Sequence, residues 1–300
     1  MLYSKVTPEQ KRIRFRELLA SGTIQQFPGA FNPLSARLIE EKGFAGVYIS
    51  GAVLANDLGL PDIGLTTLTE VATRAGQIAR MTDLPSIVDA DTGFGEPMNV
   101  ARSVQELENA GLAGLHIEDQ FNPKRCGHLD GKNVVDLDTA TKRIRAAADA
   151  RRDPNFLIMA RTDIRATDGL KATQDRAKAL VEAGADAIFP EAMKDLSEFQ
   201  AIRDAVDVPI LANMTEFGQS ALFTVDQLTG VGVNMIIYPV TLLRSAMGAA
   251  ERTLESIKAD GTQEAQVGNM LTRARLYDLV DYEAYNSFDT GVFNFQIPGQ

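Results

Sequence analysis

The chain of 300 residues contains a single cysteine. One thiol cannot close an internal disulfide, so this is not a secreted, disulfide-stapled scaffold and the expected setting is cytoplasmic. The N-terminal stretch MLYSKVTPEQKRIRF becomes charged early and has neither the apolar core nor the small-residue cleavage site of a signal peptide. No apolar run approaches the roughly 20 residues that span a bilayer. Cations are scarce as well: 30 Lys and Arg stand against 40 Asp and Glu, a net charge of −10. A field of that sign repels nucleic acid and anionic membrane surfaces, so neither is expected as a partner, and an anionic ligand must be met by local cations. Pro/Ser-rich linkers and low-complexity segments that would divide the chain are also missing, which leaves residues 1–300 as one domain.

What is present is an alternation of helical periodicity with short apolar runs, the pattern of βαβ units on a parallel sheet. One phrase recurs. A glycine closes a helix and leads into a strand in EKGFAGVYIS, NAGLAGLHIED, EAGADAIFPE and TGVGVNMIIYP, while an Asp and usually a Pro precede DLPSIVDAD, DPNFLIMARTD and DVPILANMT. With IQQFPGA, these predict eight strands near residues 24–29, 45–50, 85–91, 114–119, 156–162, 187–191, 208–213 and 234–239. The runs are apolar on both faces, as a sheet under a helical jacket requires. The rival, a doubly wound open sheet, calls for a glycine-rich turn after the first strand, where this chain has PGAFNP. A (β/α)8 TIM barrel is therefore the expected fold, preceded by a helical segment (1–22) and followed by a helical tail (260–300). The tail carries Met270, Leu271, Leu276, Leu279 and Val280, an apolar face whose expected cover is another subunit.

Chemistry in such barrels gathers at the C-terminal ends of the strands. VDADTGFG ends the third strand with Asp89 and Asp91, two residues apart and so on one side of an extended chain. The fourth strand adds Glu118 and Asp119. Acids at strand ends often only cap the next helix, but four on adjacent strands repel one another unless a proton or cation intervenes, and oxygen ligands suit Mg²⁺ or Mn²⁺. The substrate should then carry carboxylate, hydroxyl or phosphate oxygens. Around the rim follow Arg161, Glu191, Asn213, Thr215, Glu216 and Arg244, a set that fits carboxylate recognition by guanidinium forks. Gly93 with Gly95, and the run GVGVN at 230–234, read as turns rather than phosphate cradles, the latter because it precedes its strand.

The lone thiol lies in KRCGH, residues 124–128, in the loop beyond Glu118 and Asp119. Cysteine without context is usually a small buried hydrophobe. Here Lys124, Arg125 and His128 flank Cys126, and Gly127 frees the backbone; such cations lower a thiol pKa and help hold an anionic substrate. His128 suits an orienting or proton-relaying part, and His116, in mid-strand, a hydrogen-bonded place in the core.

YISG, LPDIG, VDADTGFG, HIEDQ, KRCGH, ARTDI, PEA and NMTEFG, in this order, resemble the isocitrate lyase and phosphoenolpyruvate mutase superfamily over nearly the whole chain, and within it the 2-methylisocitrate lyase family. VDADTGFG is general to that superfamily; the Lys-Arg-Cys-Gly-His loop is specific to its carbon–carbon lyases. The resemblance implies a Mg²⁺-dependent lyase (Mn²⁺ as an alternative) that cleaves a small tricarboxylate, 2-methylisocitrate, into pyruvate and succinate in propionate catabolism. It implies Asp89, Asp91 and Glu118 at the metal and Asp62 in the same acidic cluster. Ser50, Gly51 and position 52 form a substrate-carboxylate loop, where Ala52 departs from the family's Ser-Gly-Gly. Tyr48 is implied as a candidate base, Cys126 as general acid, and Lys124, Arg125, Gly127 and His128 as its mobile loop. Substrate contacts fall to Arg161, Glu191, Asn213, Thr215, Arg244 and Arg273, with Pro239 at the rim beside the substrate's methyl group. A homotetramer built by exchanging C-terminal helices is the implied assembly. Isocitrate lyase is the alternative reading, and a phosphonopyruvate-type mutase or hydrolase, which lacks the cysteine, a more distant one.

Overall fold

The structure, a computed structural model, describes residues 4–125, 127, 131 and 133–296. Helix α1 (Pro8–Ala20) precedes strand β1 (Gln25–Pro28) and helix α2 (Pro33–Glu41). Strand β2 (Val47–Ile49) leads into α3 (Gly51–Asp57) and α4 (Leu68–Ala79). Four strand–helix units follow: β3 (Ser86–Asp89) with α5 (Pro97–Asn109), β4 (Gly114–Glu118) with α6 (Leu137–Ala150), β5 (Leu157–Thr162) with α7 (Arg165–Glu182), and β6 (Ala187–Pro190) with α8 (Leu196–Arg203). Then come β7 (Leu211–Asn213), α9 (Val225–Gly230), β8 (Met235–Tyr238) and α10 (Thr241–Asp260). A 3-10 turn over Glu264–Asn269 leads to α11 (Arg273–Leu279) and α12 (Tyr282–Phe293). Every predicted strand is found, within a few residues of its expected bounds.

The eight strands pair in parallel, in the orders β2-β3-β4-β5-β6 and β1-β8-β7. Two single parallel bridges, Gly29 with Tyr48 and Ile188 with Ile210, join the two arcs into a closed ring. The recurring glycines explain the tight returns from helix to strand: Gly43, Gly111, Gly184 and Gly232 all take positive φ, open to a residue without Cβ. GVGVN is thus a turn at the end of the barrel opposite the rim.

Two cores follow from strands buried on both faces. Between strands and helices lies a large cluster that includes Ile49, Val88, Leu115, Ile117, Ile158 and Ile188. Inside the ring lies a second, with Phe27, Tyr48, Ile87, Leu157, Met159, Phe189, Leu211, Met235 and Ile237. Helix α1 seals the lower end of the second. Phe15 and Leu19 enter the ring's interior cluster, with Phe15 5.3 Å from the Phe27 ring. The same face buries Lys11 and Arg12. Their heads are satisfied by carbonyl oxygens: Lys11 Nζ donates to Ala79 and Thr82, and Arg12 to Leu112 and Glu108. A helix of low amphipathicity can therefore act as a plug, because its cations cap chain ends that strands and helices leave unsatisfied.

The tail behaves differently from the barrel. Helices α10 and α12 bury no residue in the single chain, and Met247, Leu254, Phe288, Val292 and Phe293 are exposed. Of the apolar positions predicted to want cover, Leu279 is buried, and Arg37 donates to its carbonyl. Among the described residues, no helix is long and apolar enough to cross a membrane.

If α1 seals the barrel, Phe15→Ala opens a cavity at its base and should cost about 3 to 5 kcal/mol in urea unfolding, with the native circular dichroism kept. A cost below about 1 kcal/mol would show that the ring packs without its plug.

Candidate active site

The strands' inward faces change character over two residues. Apolar Ile87, Met159 and Phe189 lie in the interior cluster, and the inward positions that follow on β3, β5 and the end of β6 are Asp89, Arg161 and Glu191. The period of two keeps these side chains in the ring, and the register pairs Asp89 with His116 and Glu118 with Arg161 across neighbouring strands. The rim is charged because the apolar barrel pattern continues one step with polar residues.

Asp89 and Asp91 lie side by side, although not by the extended geometry their spacing suggests. Asp91 has left β3 and takes φ of 46°, a left-handed conformation unusual outside glycine. Its amide donates to Asp89 Oδ1 at 2.9 Å, and Thr66 donates to its Oδ2. Gly51, the first residue of α3, closes over the pair. Its amide donates to Asp89 Oδ2 at 3.2 Å, and a Cβ there would come within 2.9 Å of Asp89 Oδ2 and 3.2 Å of Asp91 Oδ1. Ala52 follows within the helix at negative φ, so the alanine in place of the family's glycine needs no altered backbone path.

Lys124 enters this cluster from the loop after β4. Its Nζ lies 2.5 Å from Asp62 Oδ1 and 2.8 Å from Asp91 Oδ1, and the side chain is almost wholly buried. Glu118 sits behind at 1% exposure with neither oxygen hydrogen-bonded. Its nearest ion-pair contact is Arg161 Nη1 at 3.4 Å. Burial drives the Glu118 carboxyl well above the usual range, against the pull of Arg161 and Lys124. For Asp91, burial and then the charge of Asp89 outweigh Lys124 and raise the pKa to about 6. In Asp89, burial is overcome by His116, Lys124, Arg161 and the Asp91 amide, leaving it at about 2. Burial would also strip Lys124 of its proton, but Glu118, Asp91, Asp89 and Asp62 together hold it charged.

Arg161 is the fixed cation of the rim. It meets Asp163 at 3.0 Å, Glu191 at 3.1 Å and Glu118 at 3.4 Å, with its guanidinium over the Phe189 ring. Asn213 Nδ2 reaches toward Glu191 at 3.4 Å. On the facing wall Arg244 donates to Thr215 Oγ1 and to the Glu216 carbonyl and carboxylate, which turn it toward the opening above Phe217. Arg161, Glu191, Asn213, Thr215, Glu216, Phe217 and Arg244 line a cavity of about 700 Å³ that also takes in Tyr48, Ser50, Ala52, Asp62, Asp89 and Gly127. Leu60, Pro239, Val240, Leu243 and Met247 supply an apolar part of the same wall. Gly127 is packed so closely that a Cβ there would meet Arg161 Nη2 at 2.3 Å and Glu191 Cγ at 2.6 Å.

His116 has more to do than fill the core. The ring is fully buried, parallel to Tyr48 and edge-on to Phe189, with Nε2 2.8 Å from the Tyr48 hydroxyl and Nδ1 3.7 Å from Asp89 Oδ1. Burial lowers its pKa to about 4 and pushes the Tyr48 phenol well above its ordinary range. At neutral pH both are uncharged. Tyr48 can thus act as a base only by passing a proton on, and neutral His116 is in place to take it. The signal for His116 was its parity with Glu118, two residues on along the same inward face.

Several expectations end differently. Asp119, the fourth acid of the predicted cluster, is one residue past Glu118 and so faces the helices, where Arg176, Thr162 and the Asp163 amide hold it. Arg125 is exposed, its amide and carbonyl bound by the Gln120 side chain, and it does not line the cavity. Arg273 is also exposed, at the start of α11, outside the cavity of its own chain. Cys126 and His128 lie outside the described residues. Among the described residues, no three His, Cys, Asp or Glu side chains form a ready metal cage; the acids converge on the Lys124 ammonium instead.

Comparison with known proteins agrees with this architecture. The phosphoenolpyruvate phosphomutase family model matches residues 15–258. Two Corynebacterium glutamicum proteins described as probable 2-methylisocitrate lyases are 58% and 56% identical to the chain, over 96% and 97% of it and 94% and 95% of their own lengths. Among solved structures, an oxaloacetate acetylhydrolase superposes with a TM-score of 0.90 at 33% identity, covering 97% of this chain and all of the other. A 2,3-dimethylmalate lyase gives 0.88 at 33% identity, with 98% of each chain covered. A phosphonopyruvate hydrolase bound to oxalate and Mg²⁺ gives 0.85 at 28% identity, covering 93% of this chain and 98% of the other. With the barrel, the acidic rim and these relatives together, the chain belongs to the phosphoenolpyruvate mutase and isocitrate lyase superfamily, and within it is a lyase.

Proposed function

We propose that this enzyme cleaves the C2–C3 bond of 2-methylisocitrate to give pyruvate and succinate. The observation that carries the reading is the cavity's division: buried carboxylates beside Arg161 at one part, Arg244 and Thr215 at another, and an apolar wall with Pro239 between the loops. A tricarboxylate that also bears a hydroxyl and a methyl group needs all three surfaces. The high identity to proteins described as 2-methylisocitrate lyases supports the same substrate.

Asp89 and Asp91 would hold a divalent cation, Mg²⁺ or alternatively Mn²⁺, with Glu118 behind them. The buried oxygens of Glu118, which accept no hydrogen bond, and the gap that Gly51 leaves over both aspartates fit such an ion, and Mg²⁺ takes one or two carboxylates with waters and substrate oxygens rather than a full protein cage. When bound, it supplies Lewis-acid stabilisation of an α-hydroxycarboxylate.

The chain's own residues do the rest. Tyr48, backed by His116, receives the proton of the substrate hydroxyl, whose oxygen becomes the keto group of pyruvate. The C2–C3 electron pair moves onto the carbon that carries a second carboxylate, and Arg161 or Arg244 stabilises the resulting dianionic enolate. A proton delivered to that carbon completes succinate, and Cys126 is assigned as its donor. The assignment is supported by its neighbours, since Lys124 contacts Asp91 and Gly127 packs on Arg161 and Glu191. Its loop is assigned the part of excluding water from the carbanion.

The assembly is proposed to be a homotetramer in which the tails cover one another. Its support is the uncovered apolar face of α10 and α12. Sedimentation should give a tetramer; a stable monomer at micromolar concentration would contradict this.

The substrate assignment predicts a higher kcat/KM for 2-methylisocitrate than for isocitrate, by a factor in the tens to hundreds, since one methyl group in a fitted pocket is worth about 1 to 3 kcal/mol. Activity should vanish with EDTA and return with Mg²⁺ or Mn²⁺. Equal or reversed constants, with pyruvate and glyoxylate followed through coupled reductases, would transfer the enzyme to isocitrate cleavage, and full turnover after exhaustive chelation would remove the cation from the account.

A further inference from the structure

The outward face of β4 and β5 carries a second set of polar groups, on the helical side of the ring. Asp119, one residue past β4, Thr162, the last residue of β5, and Arg176 of α7 are all buried there. Thr162 Oγ1 donates to Asp119 Oδ2 at 2.6 Å, and Arg176 Nη1 donates to the same oxygen at 2.9 Å. The other oxygen, Asp119 Oδ1, accepts the Asp163 amide at 2.9 Å. Arg176 Nη1 also donates to the Val135 carbonyl, while the Val135 amide donates to the carbonyl of Asp119. The carboxylate is thereby held from several directions in a setting without bulk water.

Asp163 connects this face to the cavity. It is the first residue past β5, so its amide has left the ladder, and Asp119 Oδ1 stands in for the missing strand partner. Its carboxylate turns the other way, accepting from Arg161 Nε at 3.0 Å and from Nη2 at 3.3 Å. A guanidinium is a rigid fork, and an acid that takes two of its nitrogens sets its plane. Glu118 and Glu191 then meet Arg161 at its terminal nitrogens, at 3.4 and 3.1 Å. Arg176 is the ion-pair partner of Asp119. Without it a buried carboxylate would be left uncompensated, a costly state that the turn at Asp163 can relieve only by shifting.

We propose that Arg176 and Asp119 are positioning residues of the reaction: from the helical side they hold the turn at Asp163, and Asp163 fixes the plane of the Arg161 guanidinium toward the cavity. Asp119, Asp163 and Arg176 do not line the cavity, whereas Arg161 does, so their effect on turnover passes through Arg161. This inference rests on the reading of Arg161 as the group that stabilises the enolate.

The test has two arms, both on the full-length enzyme. Substrate-free crystal structures of wild type and Arg176→Met locate the Arg161 guanidinium. In parallel, kcat and KM for 2-methylisocitrate with Mg²⁺ are measured for Arg176→Met, Arg176→Lys, Arg161→Lys and the double variant Arg161→Lys/Arg176→Met. The expected Arg176→Met structure keeps the barrel and loses the paired contact between Arg161 and Asp163. Its kcat should fall by about 10- to 100-fold, the scale of a misplaced catalytic group, with KM within about threefold of wild type. Arg176→Lys, which can still donate to Asp119, should recover most of that loss. On the Arg161→Lys background, Arg176→Met should change kcat by less than about twofold, because residues that act as a unit do not add. A guanidinium unmoved on Asp163 would overturn the inference. So would a lower melting temperature with kcat per folded molecule unchanged, or losses that multiply in the double variant. If Arg176→Met does not fold, Thr162→Val takes its place: it keeps the shape, removes one donor to Asp119 and should lower kcat by about three- to tenfold. An unchanged kcat there would equally contradict the inference. If Arg161→Lys alone left kcat intact, the assignment of Arg161 to the enolate would fail, and the inference with it. A wild type inactive on 2-methylisocitrate would strike the proposed substrate and leave the crystal structures to decide the positioning.

Discussion

Carboxylates crowded at the mouth of a barrel, out of water, must be given positive charge or protons. Here Asp62, Asp89, Asp91, Glu118, Asp163 and Glu191 face the cations Arg161 and Lys124. Two like charges about 4 Å apart repel by about 4 kcal/mol at an effective dielectric of 20, and each buried ion forfeits several kcal/mol of hydration. The site relieves this in three ways. Arg161 is fixed on β5 and shared by three acids; Lys124 is brought in on a loop; and Glu118 and Asp91 have their pKa values raised, chiefly by burial. The acids still outnumber the cations, which makes the mouth of the barrel receptive to a further cation.

Such an arrangement is tolerable only on a rigid frame. The ring closes through the Gly29–Tyr48 and Ile188–Ile210 bridges, α1 seals its base, and the interior is filled by side chains at every second position. The charged layer is the next step of that same alternation, so the backbone that packs Ile87 and Leu157 also aims Asp89 and Arg161. Stability is concentrated below and chemistry above, in loops that tolerate strain such as the positive φ of Asp91.

Much of this was legible in the sequence. Glycine at the ends of helices and Asp, usually with Pro, before strands marked seven strands, with IQQFPGA read as the first, and the barrel rule then directed attention to Asp89, Asp91, Glu118, Arg161, Glu191, Asn213 and Arg244, of which Asp89, Arg161, Glu191, Asn213 and Arg244 line one cavity. What escaped were matters of orientation and distance. Asp119 differs from Glu118 by one residue, and a strand converts that into opposite faces. His116 reads from its mid-strand position as a hydrogen-bonded core residue, and it is one; what the sequence could not name is its partner Tyr48, 68 residues away. Arg125 and Arg273 have the right charge for a carboxylate, but their elements leave them at the surface of the single chain. The apolar residues of α10 and α12 lie exposed on the single chain, and periodicity alone does not say what covers them.

The central claim is that the cavity guides a carbon–carbon cleavage in which the enzyme, not bulk water, protonates the new carbanion. Running the reaction on 2-methylisocitrate in D₂O and analysing the products by NMR tests this most directly. The account predicts pyruvate and succinate in equal amounts, with one deuterium in succinate at a single stereochemical position, and a Cys126→Ser enzyme slower by about 10² to 10⁴ while equally well folded. Absence of these products, or succinate labelled without stereochemical preference, would contradict it.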